Sequence, residues 1–127
     1  MATKILVVDD EIHVATSIKL ALGSEYEVDA VYDGRQAFEL LKENATGFSV
    51  VITDHMMPSW AGWELINRLQ AIAFPGKCIV LSGYLSPDIE EIYRNLGVEY
   101  VISKPFDLAQ LRTAVAASAR AIEAAKN

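Results

Sequence analysis

Asp9-Asp10, Asp54, Ser82 and Lys104 each stand directly after a short apolar run: Ile5-Leu6-Val7-Val8, Val50-Val51-Ile52-Thr53, Ile79-Val80-Leu81 and Tyr100-Val101-Ile102-Ser103. Three carboxylates, a hydroxyl and an ammonium are a set that can handle metal and phosphate. Carboxylates gathered together repel, which raises their proton affinity unless a cation enters. A hard divalent ion such as Mg²⁺, which keeps several waters and takes one or two protein carboxylates, is the natural occupant. With that ion present, one carboxylate can attack a phosphoryl group while metal and ammonium neutralise the phosphoryl oxygens. Positioning and electrostatics then supply most of the catalysis. Asp54, alone at the end of its run, is the candidate nucleophile, with Ser82 and Lys104 to hold phosphate oxygens. His13, His55 and the lone Cys78 lack the clustering that zinc or iron would need.

For these residues to meet, the runs must be strands of one sheet. Short β-branched runs bounded by turns and alternating with helical patterns read as buried parallel strands, whose ligands sit outside the carboxyl ends. After Asp10, a plausible N-cap, Val14, Ile18, Ala21 and Leu22 mark one face of a helix closed by Gly23. Glu27 to Tyr32 reads as a second strand, and Asp33-Gly34 turns the chain into a helix with Ala37, Leu40 and Leu41 inward, ended by Asn44 to Gly47. A helix carrying Trp63, Ile66, Leu69 and Gln70 stops at Phe74-Pro75-Gly76, and Ser86-Pro87 caps another with Ile89, Ile92, Tyr93 and Leu96 before Gly97. Asp107, three residues before Gln110, opens an Ala-rich helix over 107–126. The expected architecture is α/β: a doubly wound five-stranded parallel sheet with five helices, (βα)5, forming one domain over 1–127.

The 127 residues carry a formal charge of −6 without a Lys/Arg cluster, which argues against direct binding of nucleic acid or an anionic membrane. No run reaches the length of a membrane span, and the N-terminus lacks the apolar region of a signal peptide, so a cytoplasmic protein is expected. Cys78, at the start of an apolar run, reads as a small buried hydrophobe.

Val7-Val8-Asp9-Asp10-Glu11, Asp54-His55-Met56-Met57-Pro58, Gly62, Ser82-Gly83 and Lys104-Pro105-Phe106 occur in that order. The separations are 44 residues from Asp10 to Asp54, 28 to Ser82 and 22 more to Lys104. As a set, these motifs and spacings resemble the receiver domains of two-component response regulators, over essentially the whole chain and with high specificity. The resemblance implies a flavodoxin-like fold and a phosphoacceptor regulator, catalysing only its own phosphorylation and dephosphorylation. Asp54 would take a phosphoryl group from a sensor histidine kinase, a histidine phosphotransfer protein or a small donor. Asp9, Asp10 and Asp54, with the backbone carbonyl of Met56, would hold Mg²⁺. Lys104, before a Lys104-Pro105 bond that is usually cis in this family, would pair with Asp54 and then with the phosphate. Ser82, in place of the commoner threonine, would move toward the phosphate as a population shift between two states. The downstream partner would be another protein or a fused output domain, and a homodimer through the fourth and fifth helices is a further expectation.

The departures from the family pattern are informative. Members usually carry Tyr or Phe three residues before the lysine, where it changes rotamer with the hydroxyl shift; here that position is Val101. Tyr100 lies one residue earlier, and a one-residue offset in a strand points to the other face. Either Tyr100 substitutes through a local bulge, or signalling relies on the Ser82 loop and the helix after it. In the family, the residues two after the phosphorylated aspartate and two after the hydroxyl flank the path of attacking water. Here they are Met56 and Tyr84, which exclude water rather than orient it, so slow self-dephosphorylation is expected.

Several residues have plainer readings. His55 is expected to be solvated or partner-facing rather than catalytic. Trp63 reads as helix-face packing and Trp60 as exposed, while Ile122 lies late enough in the last helix to serve a dimer or a continuing helix. A phosphorylation-independent interaction domain is the alternative function. A haloacid dehalogenase-type hydrolase would need its nucleophile on the first strand with a second acid two residues on, whereas Asp9 is followed directly by Asp10, with Glu at position 11. A flavodoxin-like cofactor binder would need a Ser/Thr/Gly-rich phosphate loop after the first strand, and none follows.

Overall fold

The structure, a computed structural model, describes residues 3–125. Strands and helices alternate: β1 (Lys4–Val8), α1 (Ile12–Leu22), β2 (Glu27–Val31), α2 (Gly34–Glu43), β3 (Val50–Asp54), α3 (Gly62–Ala71), β4 (Lys77–Ser82), α4 (Pro87–Asn95), β5 (Tyr100–Ser103) and α5 (Leu108–Ala125). The strands form one parallel sheet in the order β2-β1-β3-β4-β5. This is the flavodoxin-like (βα)5 arrangement expected from the alternation. Among the described residues no helix is long and apolar enough to cross a membrane.

Both faces of the sheet are covered, and that is why the strands read as solid apolar runs. Ile5, Val7, Ile52 and Leu81 face α1 and α5, where Ala15, Ile18, Leu22, Leu111 and Val115 meet them. Their neighbours Leu6, Val8 and Val51 face α2 and α3, against Ala37, Leu41, Leu65 and Leu69. A smaller cluster of Ile66, Val80 and Tyr93 seats α4. Each such Ile, Leu or Val contributes on the order of 2 kcal/mol by leaving water, so register is strongly specified on both faces.

Several local expectations change on folding. Glu11, not Asp10, occupies the N-cap position of α1, and its side chain makes no capping bond. Asp9 instead accepts from the Glu11 N–H at 2.9 Å, which bends the chain at the strand exit. Tyr32 falls just outside β2. Asp33 caps α2 through the N–H groups of Arg35 and Gln36, at 2.7 and 3.0 Å. Ser86 caps α4 through the Ile89 N–H, with Pro87 at the first helical position. Gly97, at φ +79°, takes the left-handed conformation that turns the chain out of α4 toward β5. Asp107 caps α5 through the Ala109 N–H rather than that of Gln110, and the predicted end of that helix at Lys126 lies outside the described residues.

The two tryptophans exchange roles. Trp60 packs with Phe38 on the α2–α3 core and lies under the Arg68 guanidinium, 4.3 Å from its ring centroid, whereas Trp63 is among the exposed hydrophobic residues. The turn after Pro58 brings Trp60 back over α2, a return that helical spacing cannot reveal. Ile92 is exposed, and Ile122 packs against the α1–α5 core. Cys78 is half-buried beside α3, and burial pushes its thiol up to about 12, as expected of a small hydrophobe.

Candidate functional site

The sheet order places β1 and β3 side by side at the centre, so the residues leaving them, Asp9 and Asp54, emerge as neighbours. Chain direction reverses its lateral progress at this point, first to β2 and then to β4, and the divergence opens a crevice at the carboxyl ends. Ser82 ends β4, adjacent to Asp54, and Lys104 follows β5. A Lys104 N–H bond to the Ser82 carbonyl at 2.7 Å continues the sheet past the last strand residue. The Lys104-Pro105 peptide is cis.

Carboxylate oxygens of Asp9, Glu11 and Asp54 lie within 4.8 Å of one another. Into this group reaches the Lys104 ammonium, 3.3 Å from Asp9 Oδ2, 3.3 Å from Asp54 Oδ1 and 3.8 Å from Glu11 Oε1. Asp9 and Asp54 are both buried, the first at 1% and the second at 5% exposure. Asp10 is exposed and outside the compact group, yet its charge still raises the proton affinity of Asp54. Glu11 is the acid that site assignment from sequence omitted. Its only signal was its place beside the two aspartates, since side-chain direction after the strand exit depends on the bend at Asp9.

The electrostatics follow from crowding. Burial, reinforced by the charge of Asp9, raises the Asp54 carboxyl to about 6, with Lys104 pulling the other way. Burial also raises Asp9, against the Glu11 N–H and Lys104. For Lys104, burial opposes the charged form, but Asp54 and Asp9 outweigh it and hold the ammonium above its ordinary value. One ammonium among three carboxylates leaves negative charge uncompensated. Oxygen ligands at this density suit a hard cation rather than a soft one.

Ser82 is buried at 1% exposure and its hydroxyl donates to the Tyr84 carbonyl at 2.5 Å, while the Tyr84 N–H returns at 3.3 Å. The hydroxyl thus stands on the strand next to that of Asp54, held by a local turn. Met56 and Tyr84, on the loops after β3 and β4, are 70% and 74% exposed. Val101 pairs with Val80 and Tyr100 with Ile79 in unbroken register. The two point to opposite faces, Val101 into the Tyr93 cluster and Tyr100 onto the α1–α5 core, so no bulge brings Tyr100 to the position of Val101.

For His55, expected to be solvated or partner-facing, the structure shows a side chain that is not fully solvated. It is half-buried, and its Nδ1 lies 2.5 Å from the hydroxyl of Tyr93, with the rings edge to face. Burial lowers the proton affinity of His55. Burial likewise pushes the Tyr93 hydroxyl up, opposed by the backbone N–H of Trp63 and assisted by the charge of Asp54. The signal that was available is a Tyr in the inward set of α4, because a buried hydroxyl must find a partner.

Comparison with known proteins agrees with this geometry. The family described as "Response regulator receiver domain" matches residues 5–116. The response regulator RppA of Synechocystis sp. is 32% identical over 109 residues, covering 85% of this chain and 47% of that protein. The response regulator GtcR of Aneurinibacillus migulanus is 32% identical over 108 residues, covering 84% of this chain and 43% of that protein. The chain therefore spans about half the length of these curated relatives. A CheY-like response regulator receiver domain protein from Methanospirillum hungatei JF-1 superposes with a TM-score of 0.88 at 26% identity, covering 97% of this chain and 98% of the other. The beryllofluoride-activated NtrC4 receiver domain dimer superposes at 0.86, also with 26% identity, over 94% and 98%.

Proposed function

Since the chain belongs to the response regulator receiver domain family, we propose that it is a phosphorylation-dependent signalling switch with Asp54 as the phosphoacceptor. The observation that carries this reading is the placement of the buried Asp54 carboxylate between Lys104, at 3.3 Å, and Asp9 at the mouth of the central strands. As a regulatory phosphoacceptor the chain is not a classical enzyme.

Asp9, Asp10 and Asp54, with the Met56 carbonyl, are the residues proposed to hold Mg²⁺. Lys104 already engages Glu11, whereas Asp10 makes no ion pair among the described residues, so the uncompensated charge lies on the Asp10 side. The ion, when bound, supplies the charge that lets an anionic carboxylate and an anionic donor approach each other. An Asp54 oxygen attacks phosphorus, the bond from phosphorus to the donor's histidine nitrogen breaks, and that nitrogen keeps the electron pair and takes up a proton. Lys104 stays within reach of the transferred oxygens. The Ser82 hydroxyl exchanges its bond to the Tyr84 carbonyl for one to a phosphoryl oxygen, which reorganises the loop after β4.

The donor is a sensor histidine kinase or a histidine phosphotransfer protein, and the readout is altered binding to a downstream protein or to an output domain of the same polypeptide. Relatives about twice as long support the second arrangement. A homodimer through α4 and α5 is part of the proposal, supported by the dimer in which the activated NtrC4 receiver was solved.

Intact mass after incubation with Mg²⁺ and acetyl phosphate tests the reading. One phosphoryl adduct is expected on the native chain and none on Asp54→Asn or without Mg²⁺. Absence of an adduct with every donor would overturn it in favour of a phosphorylation-independent interaction domain.

A further inference from the structure

Tyr93 is the one fully buried residue of α4 and is among the largest fully buried side chains in the fold. Its ring fills the space between Ile66 of α3 and Val80 of β4, with Val101 of β5 packed alongside. Large aromatic bulk on this side of the sheet comes from the helix, not from β5. The hydroxyl at the far end of that ring leaves the apolar cluster and meets His55, the residue directly after Asp54, at 2.5 Å. The hydroxyl and Nδ1 share one hydrogen bond, whose donor is set by the imidazole tautomer.

His55 is fixed at three points. Its N–H donates to the Leu81 carbonyl at 2.8 Å, its carbonyl accepts from the Gly62 N–H at 2.9 Å, and its ring bonds to the Tyr93 hydroxyl. The backbone between the Asp54 carboxylate and the Met56 carbonyl is thus held from the α4 side. Space there is closed, because a Cβ on Gly62 would sit 2.7 Å from the Asp54 carbonyl and 3.0 Å from the Tyr93 hydroxyl. Close-packed groups of this kind pass a displacement on rather than absorb it.

We propose that Tyr93 is a positioning residue for the Asp54 site, acting through His55, and that this contact ties occupancy of Asp54 to the position of α4. It rests on the phosphoacceptor reading above. α4 is seated by one buried side chain, and that side chain is bonded to the neighbour of the acceptor. A phosphoryl group on Asp54 displaces the β3 exit, His55 moves with it, and α4 follows through Tyr93. Coupling of this kind is reciprocal, so a partner that holds α4 changes how readily Asp54 is loaded.

The test uses the full chain with Mg²⁺ and acetyl phosphate, following adduct mass and amide NMR shifts in the same samples. Tyr93→Phe keeps the ring and removes the hydroxyl. It is expected to load Asp54 several-fold more slowly, and its phosphorylation-induced shifts over Pro87–Asn95 fall below a third of the native size while those at Ser82 and Gly83 persist. His55→Ala is expected to reproduce both effects, with the double variant adding nothing further, as two ends of one contact require. In the native chain the His55 ring ¹⁵N shifts should change on phosphorylation, a readout that needs no variant. Full-sized α4 shifts in an adduct-bearing Tyr93→Phe chain, or unchanged His55 ring shifts in an adduct-bearing native chain, would overturn this inference alone. No adduct on the native chain would overturn it together with the phosphoacceptor reading.

Discussion

Lys104 Nζ and Asp54 Oδ1 stand 3.3 Å apart at the carboxyl edge of the sheet, brought together from the ends of β5 and β3 although β4 lies between those strands. Lys104 reaches across the Ser82 position to do this and touches Asp9 on the far side at the same distance. A single cation so shared cannot neutralise the site, and the Asp54 carboxyl accordingly remains raised to about 6.

Stability without metal should therefore depend on pH in a defined window. The folded-state value for Asp54 lies above the ordinary 3.8, so between pH 3.8 and about 6 the folded chain binds more protons than the unfolded one, and this residue's contribution falls as pH rises. Above that window the ionised carboxylate destabilises by about 3 kcal/mol. Asp54→Asn is expected to exceed the native chain in stability by about that amount at pH 8 in Mg²⁺-free urea unfolding, with the two converging near pH 4. Equal stability at both pH values would show that the carboxylate is not strained.

Mg²⁺ should stabilise the native chain by about 1.4 kcal/mol when present at ten times its dissociation constant. Asp10→Asn is expected to weaken this binding by at least about tenfold, the equivalent of 1.4 kcal/mol. Glu11→Gln should weaken it by less, because Lys104 already partners Glu11 at 3.8 Å. Thermal unfolding titrated with Mg²⁺ measures both. The reverse order would make Glu11 the third acid of the cation site.

Gly62→Ala places a methyl group 2.7 Å from the Asp54 carbonyl and 3.0 Å from the Tyr93 hydroxyl. Both neighbours are fixed, the first in a central strand and the second by its bond to His55. A loss of about 2–3 kcal/mol is expected from overpacking, read as a lower urea midpoint with an unchanged slope. A change within experimental error would mean that α3 can slide away from the β3 exit.

Met56 and Tyr84, exposed on the loops after β3 and β4, bear on the lifetime of the phosphoryl group. Exchanging both for asparagine, which can orient a water molecule, is expected to speed loss of the adduct about tenfold, or 1.4 kcal/mol of barrier. The decay of intact mass after donor removal measures it. An unchanged rate would remove these side chains from the account of hydrolysis.

The strand ends were legible in the sequence because a strand buried on both faces must be apolar throughout, so the first polar residue after each run marks its exit. Asp9, Asp54, Ser82 and Lys104 were found in this way, and the alternation with helices required a parallel sheet. Only the tertiary structure decided which acids converge. The bend fixed by the bond from the Glu11 N–H to Asp9 brings the carboxylate of the exposed Glu11 to Asp9 and Asp54 and leaves Asp10 outside the group, a matter of backbone direction over two residues that composition does not encode. The same holds for His55 and Tyr93. Helical spacing placed Tyr93 inward, but that its hydroxyl meets the neighbour of Asp54 depends on how α4 lies across β4 relative to α3. Periodicity specifies which face of an element is buried; what that face meets is set by packing between elements distant in the chain.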